Sequence, residues 1–222
     1  MSAAKRSDLE HRIVETAARF PEPHAAAIER AAADLARYLG LLLQFNETTN
    51  LVSASAARPD VLVGQHLFES LLGLPLLPSP HVAATFLLDI GSGGGFPAVP
   101  LLTVRRDLSG VLVESTGKKA RFLSKVAAEL NLTLEVVNAR FPASFPMDTK
   151  RHFDIVTTRA VASAGLLVRK AKPFLALRAR ALLWTTEELA EAAAKELGIH
   201  TFDFHRSPIA EARGIARFEC ST

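Results

Sequence analysis

The stretch "LLDIGSGGGFPAVP", residues 87–100, joins the end of an apolar run to four glycines and a Phe-Pro pair. The apolar residues predict a buried strand, and the glycines at 91, 93, 94 and 95 allow a sharp turn into a helix that begins near Pro97. Because no side chains intervene, a flat ligand can lie against the backbone N–H groups of such a turn. The stretch therefore predicts a nucleotide-like ligand at the carboxyl end of a β-strand.

Short apolar runs on either side of this stretch predict the rest of a sheet. From residue 85 onward, predicted helices near 97 and at 118–130, 166–177 and 187–197 alternate with strands that read "TFLLDI", "GVLVE", "TLEVV", "FDIVTT" and "ALLW", and "HTFDF" and "IARFEC" close the chain. Such alternation is typical of parallel strands joined by crossover helices, an open α/β sheet covered on both faces. Ligands bind beyond the carboxyl ends of such strands, where residues 91–96 are expected.

The residues before the sheet predict a helical extension. Apolar residues recur at helical spacing in 7–20 and 25–45, prolines at 21 and 23 separate these segments, and 61–72 fits a further helix. We expect residues 1–80 to form this extension and residues 81–222 to form a Rossmann-like domain, the two packed as one unit.

The composition is that of an ordinary globular protein, with 222 residues of which 49% are apolar. No apolar run is long enough to cross a membrane, and charges stand near the N-terminus where a secretory signal has its apolar region. We therefore expect a cytoplasmic protein without a membrane partner. The single cysteine, Cys220, excludes a disulfide framework, and the seven histidines lack metal-ligand spacing, so no metal is expected.

Positive charge is concentrated in one part of the chain. Residues 115–182 contain thirteen Lys or Arg against four Asp or Glu, although the net charge of the whole chain is only +3. A basic zone of this kind favours a polyanionic partner. A solvated basic surface without a partner is the alternative.

Two carboxylates near the glycines narrow the choice of ligand. Gly93, Gly95 and Ala98 satisfy the dinucleotide pattern GxGxxG/A, and Glu114 ends the next predicted strand, so NAD is one candidate. The order Asp89-x-Gly-x-Gly-x-Gly, however, resembles motif I of class I S-adenosylmethionine-dependent methyltransferases. The acid at position 89 can receive the cationic amino-acid end of S-adenosylmethionine, a group that NAD lacks, and the Glu114 carboxylate can accept both ribose hydroxyls. We expect S-adenosyl-L-methionine as cofactor, and an NAD-binding oxidoreductase stays the alternative.

Several segments together resemble one family, the bacterial small-subunit rRNA guanine-N7 methyltransferases (RsmG, also called glucose-inhibited division protein B). The matching segments span residues 44–163 and read, in order, "FNETTNLVSA", "HLFES", "LLDIGSGGGFPAVPL", "ESTGKKARFLSKVAAELNL", "NARFP" and "FDIVTTRAVAS". The resemblance implies a class I methyltransferase fold, and methyl transfer from S-adenosylmethionine to N7 of a guanosine in the 530 loop of bacterial 16S rRNA. It implies small-subunit rRNA or the 30S particle as partner, and we expect a monomer.

The resemblance also assigns roles to individual residues. It implies that Gly91 and Phe96 line the cofactor pocket, that residues 140–142 run alongside the adenine of the cofactor, and that Arg159 closes the site. His66 is either at the pocket mouth or a packing histidine, and we expect His66 and Arg159 to position the substrate. The complete set expected at the cofactor is Asp89, Gly91, Gly93, Gly95, Phe96, Glu114, Arg140, Phe141, Pro142 and Arg159.

Four basic residues open the helix after the second strand: Lys118, Lys119, Arg121 and Lys125. Positive side chains near a helix start are unfavourable for the helix dipole, which indicates an external use such as contact with RNA phosphates. Other features depart from the family pattern. Glu69 stands where the family usually has Asp, "LWTTEE" replaces a usual Lys-Gly pair beside Trp184, and only Arg213 and Arg217 represent the basic C-terminus. A non-catalytic RNA-binding protein on the same fold is therefore a second alternative.

The residues that are absent bear on which atom is methylated. Methylation of a pyrimidine C5 needs a cysteine nucleophile, and Cys220 is far along the chain from the glycine motif. Methylation of an exocyclic amine usually brings an Asn/Asp-Pro-Pro-Tyr stretch, where this chain has "TTRAVAS". Guanine N7 already carries an in-plane lone pair, so no proton has to leave before it attacks the methyl group. Positioning of the two reactants, which contributes roughly 7–11 kcal/mol at best, is then sufficient. We expect direct SN2 transfer with no residue acting as general base.

Overall fold

The computed structural model describes residues 3–80, 85–146, 151–161 and 163–221. Its centre is a seven-stranded sheet, and each strand expected from the sequence is present. The strands are β1 (Thr85–Ile90), β2 (Leu108–Val113), β3 (Leu134–Val137), β4 (Phe153–Arg159), β5 (Leu175–Thr186), β6 (Asp203–Ser207) and β7 (Ala210–Ser221). The predicted α/β class is confirmed.

The strands lie in the order β3-β2-β1-β4-β5-β7-β6. The first five run parallel, as the alternation predicted, whereas β7 runs antiparallel to both of its neighbours. From β1 the chain moves outward to β2 and β3, then returns to place β4 on the other side of β1. The strand order therefore reverses at β1, and a ligand crevice is expected beyond the carboxyl ends of the strands at that point.

Helices cover both faces of the sheet. They are α1 (Ala3–Ala17), α2 (His24–Asn46), α3 (Pro59–Val61), α4 (Phe68–Leu71), α5 (Ala98–Val104), α6 (Gly117–Glu129), α7 (Ala164–Ala171) and α8 (Glu187–Leu197). Successive strand residues point to opposite faces, so Leu87 belongs to the apolar cluster beneath α1, α2, α5 and α6, and Leu88 to the cluster beneath α7 and α8. Among the described residues, no helix is both long and apolar enough to cross a lipid bilayer.

The N-terminal helices share a core with the sheet. Leu39 and Leu42 of α2 lie in the same buried cluster as Leu87 of β1 and Phe122 of α6. Between α3 and α4 the chain forms a π-helical turn, Leu62–Leu67, so the three pieces make one continuous helical segment. The division of the chain at residue 80 stays a prediction, and residues 81–84 lie outside the described part.

The predicted end of one helix and the predicted start of the strand that follows it are wrong. The helix expected at 166–177 ends at Ala171 and is followed by a 3₁₀ turn, Lys172–Phe174, and then by β5 from Leu175. Pro173 has no backbone N–H to continue the helix. The following alternation "LALRARALLW" fits a strand that is half-buried at its start, which makes β5 much longer than the predicted "ALLW".

Candidate functional site

The glycine stretch forms the turn between β1 and α5. Gly91, Gly93 and Gly95 have φ values of 78°, 54° and 96°, a region that residues with side chains rarely adopt. A Cβ at Gly95 would lie 2.7 Å from Cγ2 of Val99, whereas a Cβ at Gly93 would meet nothing closer than 3.9 Å. Packing therefore requires glycine at 95, and the surface over Gly93 is open to a ligand.

Helix α2 supports this turn from behind, through a contact that sequence reasoning missed. The buried Tyr38 hydroxyl donates to the carbonyl oxygen of Gly94 at 2.6 Å, and the Tyr38 ring meets Phe96 with centroids 5.5 Å apart. Burial raises the pKa of Tyr38 well above its usual value, so the hydroxyl keeps its proton and remains a donor. The N-terminal extension thus holds the glycine turn in place.

Asp89, in β1, is a buried carboxyl group with one unpartnered oxygen. Its Oδ1 accepts a hydrogen bond of 2.6 Å from Oγ1 of Thr157 in β4, whereas Oδ2 has no partner among the described residues. Burial raises the pKa of Asp89 to about 6, the hydroxyl groups of Thr157 and Ser92 oppose this rise, and the charge of Glu114 adds to it. A cation beside Oδ2 would offset the cost of burying this carboxylate. The cationic amino-acid end of S-adenosylmethionine fits that requirement.

Glu114 follows β2 directly and is 7% exposed. Its Oε2 accepts from the Gly93 N–H at 2.9 Å, and its Oε1 accepts from the Thr116 N–H at 2.7 Å. Asn138, at the end of β3, donates from Nδ2 to the Glu114 carbonyl oxygen at 2.8 Å. These bonds fix the carboxylate against the glycine turn. Each oxygen keeps acceptor capacity, so the predicted bond to two ribose hydroxyls is compatible with them.

Residues 140–142 lie near the same edge of the sheet, since Asn138 precedes them. The Arg140 side chain is exposed, and its N–H donates to Ser144 Oγ at 3.0 Å. Phe141 is only 9% exposed and packs on Phe145 with ring centroids 5.3 Å apart. Phe141 therefore belongs mainly to the core, and contact of Arg140, Phe141 and Pro142 with an adenine stays a prediction.

Arg159, the last residue of β4, lies in a buried network. Its Nη2 donates to Oε2 of Glu69 at 2.6 Å, and its Nη1 donates to the His66 carbonyl oxygen at 3.3 Å. The Glu69 carbonyl oxygen in turn accepts from Nε1 of Trp184 at 2.7 Å. The carboxylate that this guanidinium meets, Glu69, is therefore supplied from within the chain. Glu69, a departure from the family pattern, and Trp184, which stands beside the missing Lys-Gly pair, both belong to this network.

His66 lies in the π-helical turn, a feature often found at functional sites. Its ring packs on Phe96 with centroids 5.4 Å apart, and its Nδ1 lies 3.2 Å from Nη2 of Arg159. Burial lowers the pKa of His66 to about 4, and the positive charges of Arg159 and Arg213 lower it in the same direction. His66 is therefore neutral at pH 7, and it both packs on Phe96 and borders the cavity described next.

A cavity of about 800 Å³ adjoins the glycine turn at the carboxyl ends of β4 and β5. Val161 joins the two features, because it lines the cavity and its Cγ2 would lie 3.1 Å from a Cβ at Gly91. Other lining residues are His66, Glu69, Arg159, Trp184, Leu189, Glu196 and Arg213. The volume is sufficient for a nucleoside, and apolar and charged groups share the walls.

Helix α6 starts at Gly117, three residues after Glu114, and so begins beside the same edge. Its first turn contains no acidic residue. Lys118, Arg121 and Lys125 are exposed and Lys119 is half-buried; Lys125 lies 3.6 Å from Glu129 in an ion pair. The basic residues nearest to Glu114 therefore reach solvent next to the candidate cofactor site.

A family model described as rRNA small subunit methyltransferase G matches residues 31–205. This chain belongs to that family. Curated relatives that carry the name ribosomal RNA small subunit methyltransferase G include the following two. The protein from Sorangium cellulosum is 42% identical over 72% of this chain and 68% of its own length. The protein from Halorhodospira halophila is 34% identical over 88% of each chain.

Solved structures agree with the fold of this chain. A T. thermophilus 16S rRNA methyltransferase in complex with AdoMet and guanosine matches with a TM-score of 0.56 and 18% identity, over 70% of this chain and 43% of that chain. The S-adenosylmethionine-dependent methyltransferase SibL matches with a TM-score of 0.55 and 17% identity, over 90% of this chain and 78% of that chain. The predicted class I methyltransferase fold is confirmed.

Membership in the methyltransferase G family excludes the alternative of an NAD-binding oxidoreductase. The structure also removes Cys220 as a nucleophile. Its thiol is buried, which raises its pKa to about 11, and Cys220 pairs with Ala179 near the start of β5, at the end of the sheet opposite the glycine turn. A group that stays protonated and remote cannot attack a base at the cavity.

Proposed function

We propose that this methyltransferase transfers a methyl group from S-adenosyl-L-methionine to N7 of a guanosine in the 530 loop of small-subunit rRNA, as a cytoplasmic monomer. The observation that carries the proposal is the pair of buried carboxylates at the ends of β1 and β2, on either side of an open glycine turn. Asp89 offers an unpartnered Oδ2 and Glu114 a fixed carboxylate. S-adenosylmethionine, when bound, supplies a methyl group on a sulfonium centre, which is activated toward nucleophiles.

The residues that hold this cofactor do so by charge and shape. Asp89 faces its ammonium group, Glu114 accepts from its ribose hydroxyls, and Gly91 and Gly93 leave room for it along the backbone. Phe96 gives the turn a rigid floor, since it is packed between Tyr38 and His66. Arg140, Phe141 and Pro142 border the position proposed for the adenine.

The cavity beside the turn accepts the target guanosine in this proposal. Among the described residues of its wall, each potential base is already engaged or too weak. Glu69 is paired with Arg159, and Glu196 accepts from the Leu166 N–H at 2.9 Å. The pKa of His66, about 4, is far below the value near neutrality that an efficient general base has. These features support transfer to an atom such as guanine N7, which has no proton to lose.

Positioning is therefore the task of the protein side chains. Arg159 and His66 form one wall of the cavity and hold the acceptor in line with the methyl group. Holding two reactants in this way contributes roughly 7–11 kcal/mol at best. Exposed Arg213 at the cavity, together with Lys118, Lys119, Arg121 and Lys125, contacts RNA phosphates, which fixes the register of the RNA.

Two titrations and one assay test this proposal. Calorimetry is expected to give saturable binding of S-adenosylmethionine and no heat with NAD. Radiolabelled methyl transfer to small-subunit rRNA, offered free or as the 30S particle, is expected with at least one of the two substrates. Cofactor binding without transfer to either substrate would favour the non-catalytic RNA-binding alternative.

A further inference from the structure

The buried hydroxyl of Thr157 hydrogen-bonds to Asp89, the residue proposed to meet the ammonium group of the cofactor. Thr157 lies in β4 directly opposite Asp89 in the parallel pairing with β1, and it is fully buried. Paired residues of neighbouring strands point to the same face, so the two side chains meet over one side of the sheet. Oγ1 of Thr157 donates to Oδ1 of Asp89 at 2.6 Å.

This bond determines which carboxylate oxygen stays available. Because Oδ1 is held by Thr157, the carboxyl group cannot rotate freely, and Oδ2 is the oxygen that has no partner in the described part of the chain. A buried unpartnered carboxylate oxygen is costly and needs a donor or a cation. Thr157 therefore sets the orientation of the acid and helps to keep it charged.

We propose that Thr157 is a positioning residue for the cofactor, which keeps Asp89 ionised with Oδ2 presented to the ammonium group of S-adenosylmethionine. This inference rests on the proposed function, because it assumes that S-adenosylmethionine binds at Asp89. It adds a residue that does not itself touch the cofactor.

The proposal predicts a change in the pH dependence of binding. The other titratable groups that interact with Asp89 in the described part of the chain are Glu114, after β2, and Tyr38, on α2. In the free protein the pKa of Asp89 is about 6, and loss of the Thr157 bond removes an influence that lowers it. The variant without the hydroxyl therefore protonates Asp89 at a higher pH than the parent does. The ammonium group binds the ionised carboxylate more tightly than the protonated acid. As the pH is lowered, the affinity of the variant for the cofactor therefore begins to fall at a higher pH than that of the parent.

The test is calorimetric titration of S-adenosylmethionine into the full chain between pH 5.5 and 7.5. For Thr157→Val, which keeps the shape and removes the hydroxyl, a pKa rise of about one unit makes the ratio of variant to parent Kd about sixfold larger at pH 5.5 than at pH 7.5. Thr157→Ser restores the hydroxyl and is expected to follow the parent. The amino group of the ligand titrates equally in every arm and cancels from the ratio.

Thr103→Val is the matched control, because the buried Thr103 hydroxyl donates only to the Val99 carbonyl oxygen within α5, at 2.7 Å. Its Kd ratio to the parent is expected to be independent of pH. If Thr157→Val does not fold, Thr157→Ala takes its place. A Thr157 variant whose Kd ratio is the same at every pH, like that of the control, overturns this inference and leaves the proposed function intact. A parent protein that binds no S-adenosylmethionine at any pH overturns both.

Discussion

Glu114 is the single residue on which the proposed cofactor site depends most. Its two oxygens accept backbone N–H groups from Gly93 and Thr116, so the carboxylate stands ready for hydroxyl donors of a ribose. Glu114→Gln replaces one acceptor oxygen with an NH₂ donor and removes the charge. Hydrogen bonds to a charged group contribute about 1.5–3 kcal/mol, so we expect S-adenosylmethionine affinity to fall roughly 10- to 100-fold by calorimetry.

The matched control is Glu135→Gln, the same change on β3 at an exposed carboxylate that pairs with Arg151. We expect its cofactor affinity to equal that of the parent. Equal affinities for Glu114→Gln and the parent would contradict the assigned role of Glu114.

Residues near in sequence to the glycine motif were predictable, and their long-range partners were not. Asp89 and Glu114 could be identified because strand-end acids flank a recognisable turn. Tyr38 lies 56 positions before Gly94, and Thr157 lies 68 positions after Asp89, and no local pattern joins such pairs. Glu69 was noticed only as a departure from the family, whereas the fold pairs it with Arg159.

At the scale of elements, α6 carries the prediction for RNA. The triple variant Lys118→Gln, Lys119→Gln, Arg121→Gln removes three positive charges beside the candidate site. Each lost phosphate contact lowers the slope of log K against log salt by about 0.7–0.9. We expect weaker binding of small-subunit rRNA in filter-binding assays, a salt slope smaller by about 2–3, and unchanged cofactor affinity.

A second triple variant tests whether the loss of RNA binding comes from α6 itself or from the lower net charge. Lys170→Gln, Arg178→Gln and Lys195→Gln remove the same charge from α7, β5 and α8. We expect a much smaller effect on RNA affinity and salt slope. Equal losses from the two triple variants would show that α6 has no special role.

Some bounds of the helices and strands could be predicted from local sequence patterns, and others could not. The bounds of β1 and α8 match the predicted segments, because a continuous apolar run and a Thr cap at position 186 mark them locally. The start of β5 and the antiparallel direction of β7 could not be predicted from the alternation of strands and helices. Pro173 ends α7 early, and β7 lies between β5 and β6, where it pairs antiparallel with both.

At the scale of the whole molecule, the buried cluster that joins α2 to β1 predicts one cooperative unit. Leu39 is fully buried in this cluster, and Leu39→Ala is expected to cost about 2–5 kcal/mol of unfolding free energy. Amide hydrogen exchange is expected to show the same loss of stability in β1 as in α2. Leu177→Ala, at a side chain 72% exposed, is the control and is expected to change little. Loss of protection confined to α1 and α2 would mean that the extension unfolds separately.

The atom that receives the methyl group can be identified directly in the RNA. Small-subunit rRNA from cells lacking this protein is incubated with the purified chain and S-adenosylmethionine, then reduced with borohydride and cleaved with aniline, which breaks RNA at N7-methylguanosine. We expect one new cleavage, at a guanosine of the 530 loop. Methyl incorporation without cleavage there, or cleavage at another site, would contradict it.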